Sequence, residues 1–343
     1  MYPEAKMIPA MKIWKLPDGK EHMLSKVCAS GDYFAEEKID GFWYELEKTE
    51  NHTYLFSRNV SKTTGCLSEK SENVPHIVAA LDCLPKNTII IGEIYYPGKT
   101  SKDVTTVMGC LPREAKLRQK NKPIHFYLHD IIEYDGVDLI KTPAIDRYNI
   151  LKAVWERYNL SSFDFLRLAE IYEENIEEKL TEILAAGGEG IVLKKKCLPY
   201  YPDLRPAWST IKVKQMDTVD LVCMGFCDAT KEYTGKELDN WPYWETAEGD
   251  LVIGEHPENC HPVTKPYYFG WKTAMRIGAF DDSGKLVELG TVSSGLTDDD
   301  REKMTTHPEE YLNKVFEFSC MSLDKKEHTL RHPRIVKKRD DKD

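Results

Sequence analysis

Glu36-Glu37-Lys38-Ile39-Asp40-Gly41 is the stretch on which the interpretation of this 343-residue chain depends. It lies within an aromatic and apolar pattern, from Tyr33 to Leu46, that is typical of a β-strand. A lysine just ahead of an acid-glycine turn, with one residue between them, suits an amine that must be neutral, aimed and close to a nucleotide phosphate. By itself the pattern has low specificity, because a lysine followed by Asp-Gly is common in hairpin turns. Its weight therefore depends on which motifs follow it, and in what order.

The composition indicates a globular protein of two domains. Hydrophobic residues make up 41% of the chain and charged residues 30%, and 343 residues allow two separate cores. No apolar run approaches the ~20 residues that would cross a bilayer, and the N-terminus lacks the apolar core of a signal peptide. Nine dispersed cysteines predict no disulfide framework. We therefore expect a cytoplasmic protein with no membrane partner.

The net charge of −10 argues against binding of nucleic acid by bulk electrostatic attraction alone. Basic residues are nevertheless clustered, for example between Lys194 and Lys214 and between Arg331 and Arg339. An acidic protein with such tracts can still hold a phosphate backbone on one face, so the overall charge leaves the partner open.

Strand-like and helix-like segments alternate over the first two-thirds of the chain. Strands are predicted at Tyr33–Leu46, Tyr54–Ser57, Thr88–Tyr95, Ile124–Glu133 and Gly190–Lys195, and helices at Val74–Cys83, Ser101–Gln119, Ile145–Asn159 and Glu173–Ala186. After Asp217, several short strands divided by turns predict a small barrel or sandwich. The predicted domains are therefore 1–217 and 218–343, with an inserted, aromatic-rich loop at about 228–268.

Five further features follow Lys38, each next to a predicted strand: Phe56-Ser57-Arg58-Asn59, Ile91-Gly92-Glu93-Ile94, His129-Asp130, Gly188 to Lys194, and Ile211-Lys212-Val213-Lys214. Each alone has an ordinary explanation, such as a solvated strand end or an edge lysine that blocks unwanted pairing. Together they supply a lysine, an arginine, two acids and two more lysines. Chemistry at a phosphoanhydride needs this set, because a nucleophile, carboxylates for Mg²⁺ and cations for the phosphates must act together.

The ordered series resembles the motifs of the covalent nucleotidyltransferases, and most closely the compact, two-domain ATP-dependent DNA ligases of phages, viruses and some bacteria. The tail from Arg331 to Lys342 resembles the final ligase motif, and Gly278 to Leu296 resembles the ligase OB-fold domain. The resemblance implies an α+β fold. An ATP-grasp-like nucleotidyltransferase (adenylation) domain with antiparallel sheets and helices would precede a small β-barrel OB-fold domain.

The resemblance also implies the reaction. The Lys38 amine would attack the α-phosphate of ATP, forming a lysyl-AMP phosphoramidate and releasing pyrophosphate. A lysine with an ordinary pKa of ~10.4 is a poor nucleophile at neutral pH. We expect Lys212, Lys214 and Mg²⁺ to favour the neutral amine and to stabilise charge on the α-phosphate. The predicted catalytic residues are Lys38, Asp40, Lys212 and Lys214.

Adenine recognition is assigned in the same way. Glu36 matches the position that accepts a hydrogen bond from the adenine amino group. His129 stands where the family usually has an aromatic residue that stacks on adenine, and Phe126 is the alternative on the same strand. Arg58 matches the position that grips the 5′-phosphate of a nick. The complete set predicted to bind the cofactor is Glu36, Glu37, Arg58, Glu93, His129, Glu189, Lys194, Arg339, Asp341 and Lys342.

Glu93 and Glu189 resemble the acids of the metal site, and Asp341 and Lys342 would orient pyrophosphate. The implied cofactors are ATP and Mg²⁺, with Mn²⁺ as an alternative. The implied partner is nicked duplex DNA, and the implied enzyme is a monomer in the cytoplasm of a bacterium or a phage-infected host cell. Its use would lie in DNA repair, replication or recombination.

One departure from the family pattern keeps an alternative open. Most DNA ligases have an arginine two residues after the glycine of the lysine motif, and here that position is Trp43. An RNA ligase of the same superfamily is therefore the nearest alternative, with a capping guanylyltransferase as a weaker one. The Phe56–Asn59 motif and the tail favour DNA. A non-catalytic OB-fold protein that binds nucleic acid is the alternative from a different class.

Overall fold

The computed structural model describes residues 2, 4–15, 23–61, 64–214, 217–235, 238–255, 257–281, 283–320, 322–324 and 329–342. The chain forms two compact units, unit 1 (Met1–Gln215) and unit 2 (Met216–Asp343). Within the described ranges, none of the helices combines the length and the apolar character that a bilayer crossing requires.

Unit 1 combines antiparallel sheets with helices, as the sequence predicts. Its strands are β1 (Trp14–Lys15), β2 (Tyr33–Glu37), β3 (Phe42–Lys48), β4 (Thr53–Val60), β5 (Leu67–Glu69), β6 (Thr88–Tyr95), β7 (His125–Tyr134), β8 (Val137–Asp138), β9 (Leu166–Leu168), β10 (Ile171–Tyr172), β11 (Gly190–Lys195) and β12 (Thr210–Lys214). Its α-helices are α1 (Met23–Ala29), α2 (Pro75–Leu81), α3 (Ser101–Met108), α4 (Pro112–Arg118), α5 (Ala144–Arg157) and α6 (Ile176–Ala185).

These strands form two sheets. The smaller sheet has the order β1-β12-β11-β2-β10, and all its pairs are antiparallel except β1 with β12. The larger sheet has the order β5-β4-β3-β6-β7-β8, with β9 added parallel to β7. The strands predicted at Thr88–Tyr95 and Gly190–Lys195 are confirmed.

The single strand predicted from Tyr33 to Leu46 is wrong, and the error lies at the lysine motif. The segment is two strands, β2 and β3, which belong to different sheets. The chain bends at Asp40 and Gly41 to cross between the sheets, so these residues do not form a hairpin turn. Gly41 is required by close packing, because a Cβ there would lie 2.5 Å from the carbonyl oxygen of Ile94. Lys38 is therefore placed at the point where the chain leaves one sheet for the other.

The helix predicted from Ser101 to Gln119 is also divided. Helix α3 begins with a capping box formed by Thr100 and Asp103 and ends at Met108, and α4 begins at Pro112. Proline favours the first turn of a helix and lacks the N–H that would continue the preceding one, which explains the break.

Each sheet buries one face under helices and leaves the other for the site. Ala35, Ile191, Leu193 and Ile211 of the smaller sheet form a core against which α1 and α6 residues pack. The larger sheet supplies a bigger core with residues of α2, α3 and α5, among them the fully buried Phe126. Side chains alternate along a strand, so the opposite faces carry the polar residues of the sequence motifs.

Unit 2 is mainly β-structure. Its strands are β13 (Asp217–Cys227), β14 (Tyr243–Thr246), β15 (Leu251–Ile253), β16 (Cys260–Pro262), β17 (Ala274–Phe280), β18 (Leu286–Val292), β19 (Val315–Cys320), β20 (Ser322–Asp324), β21 (Thr329–Arg331) and β22 (Arg334–Lys338), with helices α7 (Lys265–Tyr268) and α8 (Asp298–Thr306). Five of them form an antiparallel sheet in the order β18-β17-β13-β19-β22. The stretch 228–268, expected to be a loop, contains the three-stranded sheet β15-β14-β16, in which Trp244 is almost fully buried.

Candidate active site

Lys38 lies directly after β2 and is held by both its backbone and its side chain. Its backbone N–H donates to the carbonyl of Gly190 at 2.9 Å. Its Nζ donates to Oε2 of Glu189 at 2.6 Å, and Lys214 Nζ lies 2.6 Å from Oε1 of the same carboxylate. Glu189 therefore bridges two of the predicted catalytic lysines. The Lys38 side chain retains 19% exposure, so a ligand can reach its amine.

The register of the smaller sheet explains why these residues meet. Strand β11 lies between β2 and β12, so that Ile191 pairs with Glu37 and Gly190 pairs with Lys214. Gly190 has φ of +137°, and a Cβ there would lie 2.1 Å from the carbonyl oxygen of Val213. Only glycine fits this close approach. Packing therefore requires the second glycine of the Gly-Glu-Gly motif, and the motif places Glu189 next to Lys38.

A cavity is lined by residues of both sheets of unit 1. Its lining includes Lys38 and most of the predicted cofactor-binding residues, namely Glu36, Glu37, Arg58, Glu93, His129 and Lys194. Apolar walls come from Ile91, Val192 and Tyr127, and Ala10, Met11 and Ile13 of the N-terminal segment also line it. A pocket with apolar walls and a few convergent polar groups is the usual form of a cofactor site.

Glu36, Lys194 and His129 form a polar group in this cavity. Lys194 Nζ lies 2.8 Å from Glu36 Oε1, 3.0 Å from the His129 carbonyl and 3.2 Å from His129 Nδ1. Glu36 Oε2 is buried and finds no hydrogen-bond partner in the described chain. The cavity therefore offers a bound molecule one unused carboxylate oxygen, which can accept a hydrogen bond.

Burial controls the protonation of this group. It raises the pKa of Glu36 to about 7, although Lys194 acts in the opposite direction. It lowers the pKa of His129 to about 3, and the positive charge of Lys194 lowers it further. His129 is therefore a neutral ring at physiological pH. Its Nδ1 faces the Lys194 ammonium and must act as the acceptor.

Glu93 lies close to Lys38, and its carboxylate makes no hydrogen bond or ion pair with any residue that the structure describes. Burial raises its pKa to about 8; Glu189 and Glu36 raise the pKa as well, while Lys38 and Arg58 oppose the shift. A carboxyl group with a pKa raised by burial and neighbouring acids is suited to bind a cation. In the described ranges no cluster of three or more His, Cys, Asp or Glu side chains is able to hold a metal by itself.

Arg58 and Trp43 lie on the walls of the cavity near Glu93. Arg58 is exposed and has no ion-pair partner among the described side chains, so its charge is available to an anion. Trp43 pairs with Glu93 between β3 and β6 and is partly buried against a small apolar cluster. The residue that replaces the usual arginine is thus a wall of the cavity as well as a packed aromatic.

Comparison with known proteins identifies the family. The sequence model of one protein family, described as the ATP-dependent DNA ligase domain, matches residues 19–214, more than half of the chain. The chain belongs to the ATP-dependent DNA ligase family. The resemblance inferred from the ordered motifs is confirmed.

Individual relatives agree with this membership. A DNA ligase of Methanothrix thermoacetophila is 25% identical over an alignment of 348 positions that covers 92% of this chain and 53% of the relative. A DNA ligase of Methanospirillum hungatei is 31% identical over 212 residues, or 60% of this chain and 36% of the relative. A structure from a study of Lig E DNA ligases has a TM-score of 0.61 at 16% identity and covers 97% of this chain and all of that chain. The chain spans about half the length of these curated relatives.

Not every predicted residue joins the group around Lys38 in this ligase-family chain. Glu37 points to the other face of β2 from Glu36, as strand alternation requires, and its carboxylate pairs with Arg167 at 2.8 Å. Asp40 lies in the bend between β2 and β3. Phe126, the alternative stacking residue, is fully buried in the core and does not line the cavity.

The predicted tail residues belong to unit 2, where they form an ion-pair network around Asp220. Arg339 Nη1 lies 3.0 Å from Asp220 Oδ1, Arg339 Nη2 lies 2.7 Å from Asp341 Oδ2, and Lys342 Nζ lies 2.6 Å from Asp220 Oδ2. The hydrogen bond from Arg339 keeps the pKa of Asp341 well below its usual range. All three predicted tail residues are therefore already engaged with one another or with Asp220.

A buried ion pair beneath the cavity was not predicted from the sequence, although its acid belongs to the His129-Asp130 motif. Asp130 accepts two hydrogen bonds from Arg147 of α5, each of 2.8 Å, and both side chains are buried. Arg147 also donates to the carbonyls of Thr142 and Leu198. The acid after His129 is therefore a structural anchor of the cavity wall. Arginine within an apolar helix pattern is the one sequence signal that could have indicated it.

The N-terminal segment was also missed. Glu47 accepts hydrogen bonds from the backbone N–H groups of Lys6 and Met7 at 2.6 and 3.1 Å, and Glu45 accepts one from Ile8 at 3.1 Å. Both carboxylates are buried. Alternating acids along β3 suggest a solvated face, but here they bind the segment that lines the cavity.

Proposed function

We propose that this protein is an ATP-dependent ligase that seals 5′-phosphate/3′-hydroxyl nicks in duplex DNA through an AMP adduct on Lys38. Family membership and the names of the relatives support this assignment. The observation that carries it is the position of Lys38. Its amine is held 2.6 Å from Glu189 and lines a cavity that also contains Glu93, Arg58 and an unused oxygen of Glu36.

The first step follows from this arrangement. The Lys38 nitrogen forms a bond to the α-phosphorus of ATP, and the bond from that phosphorus to the bridging oxygen of pyrophosphate breaks. Pyrophosphate leaves with the electron pair, and the amine proton passes to solvent. Lys212 shares the strand face of Lys214, since residues two apart point to the same side. Both ammonium groups then stabilise charge that develops on the α-phosphate.

In the second and third steps the adenylate moves to DNA. The 5′-phosphate of the nick attacks the lysyl-AMP phosphorus and displaces the Lys38 amine, which gives a DNA-adenylate. The 3′-hydroxyl then attacks the 5′-phosphorus, and AMP leaves as the phosphodiester bond forms. Arg58 is the candidate for holding the 5′-phosphate, because it is exposed and its charge has no acidic partner in the described structure.

The polar group in the cavity is suited to an adenine base. The amino group of adenine would donate to Glu36 Oε2, while Lys194 keeps the other carboxylate oxygen engaged. His129 is neutral and lines the cavity, so its ring can stack on the base. The apolar surfaces of Ile91 and Val192 would cover the remaining faces.

Glu93 and Glu189 fit a divalent cation. Mg²⁺ is usually held by one or two carboxylates together with substrate phosphates and water, so a pair of acids is sufficient. Burial is the main cause of the raised pKa of Glu93, and Glu189 and Glu36 contribute as well; a bound cation would favour the ionised carboxylate against both. A bound Mg²⁺ supplies charge neutralisation for the phosphates. Competition for Glu189 would also release the Lys38 amine from its ion pair.

We infer that unit 2 is an OB-fold domain. Its five sheet strands have the order third, second, first, fourth and fifth along the chain, which suits a five-stranded Greek-key barrel. Closure is supported by a hydrogen bond of 2.9 Å from the Ile335 N–H in β22 to the Ser294 carbonyl just after β18. Asp341 and Lys342 remain candidates for orienting pyrophosphate once the Asp220 network opens.

RNA ligation is the second candidate, and Trp43 is the observation that keeps it. An arginine at this position would add a cation to the cavity wall beside Glu93, whereas Trp43 presents an aromatic surface. The family match favours DNA. A non-catalytic role is disfavoured, because Lys38, Glu189 and Lys214 still form one connected ion-pair cluster.

Two measurements test this proposal. Incubation with ATP labelled at the α-phosphate should label the wild-type protein, and Lys38→Ala should remove the label while Lys26→Ala, an exposed lysine of α1, keeps it. Sealing should then be compared on three substrates: a duplex with a nick in a DNA strand, a duplex with a nick in an RNA strand, and single-stranded RNA. A wild type that is not labelled contradicts the enzyme assignment, and joining of RNA alone contradicts the choice of DNA.

A further inference from the structure

The segment from Lys99 to Lys122, which contains α3 and α4, concentrates positive charge. It has seven lysine or arginine residues and two acidic residues, a net charge of +5 in a chain whose total is −10. None of these basic residues lines the cavity around Lys38. The nucleotide chemistry therefore does not explain their accumulation.

The charges of this segment form an exposed surface. All seven lysine and arginine residues of the segment are exposed. Arg118 already contacts Glu114 and the carbonyl of Thr106. The other six are here called the basic face: Lys99, Lys102, Arg113, Lys116, Lys120 and Lys122. Along α4 and its end, Arg113, Lys116 and Lys120 follow helical spacing, so they share one side. Ala115 and Gln119, on the other side, are buried. The helix thus packs through its uncharged side and presents its charged side to solvent.

Most of the basic face lacks acidic partners. Lys102, Arg113, Lys116 and Lys120 make no ion pair within the described ranges, and Lys99 makes only a distant one, 3.7 Å from Asp103. Two half-buried lysines of unit 2 behave differently: Lys265 pairs with Asp298, and Lys272 pairs with Asp228. The second acid of the segment, Glu114, lies 3.6 Å from Arg118, so it does not neutralise the basic face.

The basic face begins at the same edge of the larger sheet as the candidate 5′-phosphate site. Strand β6 carries Glu93 and ends at Tyr95, only four residues before Lys99. Phe42 of β3 pairs with Ile94 of β6, and Tyr44 pairs with Ser57, the residue before Arg58. Arg58, Glu93 and the start of the basic face therefore lie at one end of the sheet.

After the basic face, the chain re-enters the larger sheet at the same edge. Lys122 Nζ donates to the carbonyl of Pro97 at 3.2 Å, and β7 begins at His125, which pairs with Tyr95. The α3–α4 segment is thus an excursion that leaves and re-enters the sheet beside the same site.

We propose that the basic face binds the phosphate backbone of the duplex next to the nick, so that Arg58 meets the 5′-phosphate. The inference rests on the proposed function and adds the surface that holds the nucleic acid. A row of unpaired cations suits a polyanion, because each phosphate contact releases condensed counterions and strengthens binding at low salt. Such contacts position a duplex without reading its sequence.

The test compares two triple variants of the full-length protein. Arg113→Gln/Lys116→Gln/Lys120→Gln removes three charges from the basic face. Lys26→Gln/Lys152→Gln/Lys285→Gln removes three exposed lysines elsewhere and is the matched control. Binding is measured at several salt concentrations on a nicked duplex with a 3′-dideoxy end, which cannot be sealed, and on anionic lipid vesicles. Self-labelling with ATP is measured in parallel.

At low salt, the affinity of the basic-face variant for the duplex should be lower than that of the wild type by a factor of about ten or more. The slope of the logarithm of the binding constant against the logarithm of the salt concentration should be less steep by about 0.9 for each phosphate that the variant no longer neutralises. The control should match the wild type in both. The proposal is wrong if the basic-face variant keeps the affinity and the salt slope of the wild type. It is also wrong if the wild-type protein labels itself with ATP and binds the vesicles but does not bind the duplex. Absence of labelling in the wild type would instead overturn the proposed function.

Discussion

Glu36→Gln gives the sharpest test of how the cavity recognises its nucleotide. In the protein, one carboxylate oxygen of Glu36 contacts Lys194 at 2.8 Å and the other is buried without a hydrogen-bond partner in the described chain. Glutamine keeps the size of the side chain. Its oxygen should remain with Lys194, so its amide would present hydrogen-bond donors where the cavity now offers an acceptor. A base amino group would then face a donor.

The magnitude follows from the charge on Glu36. A hydrogen bond to an ionised group is worth about 1.5–3 kcal/mol, which corresponds to a factor of about 10 to 150 in affinity. The wild type should therefore bind ATP about 10 to 150 times more tightly than purine riboside triphosphate, which lacks the 6-amino group. In Glu36→Gln, the ratio of the two affinities should fall close to one.

The assay is isothermal titration calorimetry of both nucleotides in the presence of EDTA, which prevents transfer of AMP to the protein. Glu178→Gln, an exposed carboxylate of α6, is the matched control and should keep the wild-type ratio. Because burial raises the pKa of Glu36 to about 7, the ionised acceptor is present above that pH and is lost below it. The ratio should therefore fall as the pH falls from about 8 to about 6. An unchanged ratio in Glu36→Gln would refute the assignment of Glu36 to the base.

Two further predictions concern the cavity wall and the cation. Arg147→Ala should lower the free energy of unfolding of unit 1 by about 3–5 kcal/mol, because it leaves Asp130 charged and buried. Denaturant unfolding measures this change. The control is Arg157→Ala, at an exposed position of the same helix, and an equal effect of that variant would contradict the prediction. The Mg²⁺ affinity of self-adenylylation should increase as the pH rises through about 8 and Glu93 ionises, whereas a pH-independent Mg²⁺ requirement would exclude Glu93 as a ligand.

The sequence predicted the family and the partners of Lys38 because their chemistry depends on residue types in a fixed order. The order of the motifs alone groups Lys38, Glu189 and Lys214, and these three side chains do form one ion-pair cluster. The strand at Thr88–Tyr95 could be predicted equally well, because a continuous run of β-branched residues favours a strand over other secondary structure.

Features that depend on packing could not be predicted. The two halves of Tyr33–Leu46 have similar strand propensity, and they are divided by pairing with distant strands and by the close packing of Gly41 on the Ile94 backbone. Glu45 and Glu47 look like a solvated face because the backbone amides that bind them come from a segment about forty residues away in sequence. Long-range contacts of this kind leave no local periodicity in the sequence.

The basic face was missed for a related reason. Its lysines and arginines are separated by apolar, neutral and acidic residues, so the segment 99–122 shows no continuous basic tract. Their common surface emerges only once α3 and α4 are folded and their uncharged sides are buried.

The site of the AMP adduct tests the central claim most directly. The full-length protein should be incubated with ATP and Mg²⁺, digested, and analysed by mass spectrometry with fragmentation that preserves the phosphoramidate. We predict one adenylate on the peptide that contains Lys38, sensitive to acid as a nitrogen–phosphorus bond should be, and absent from Lys38→Ala. An adenylate on any other residue, or an unmodified Lys38 in protein that seals nicks, would contradict this prediction.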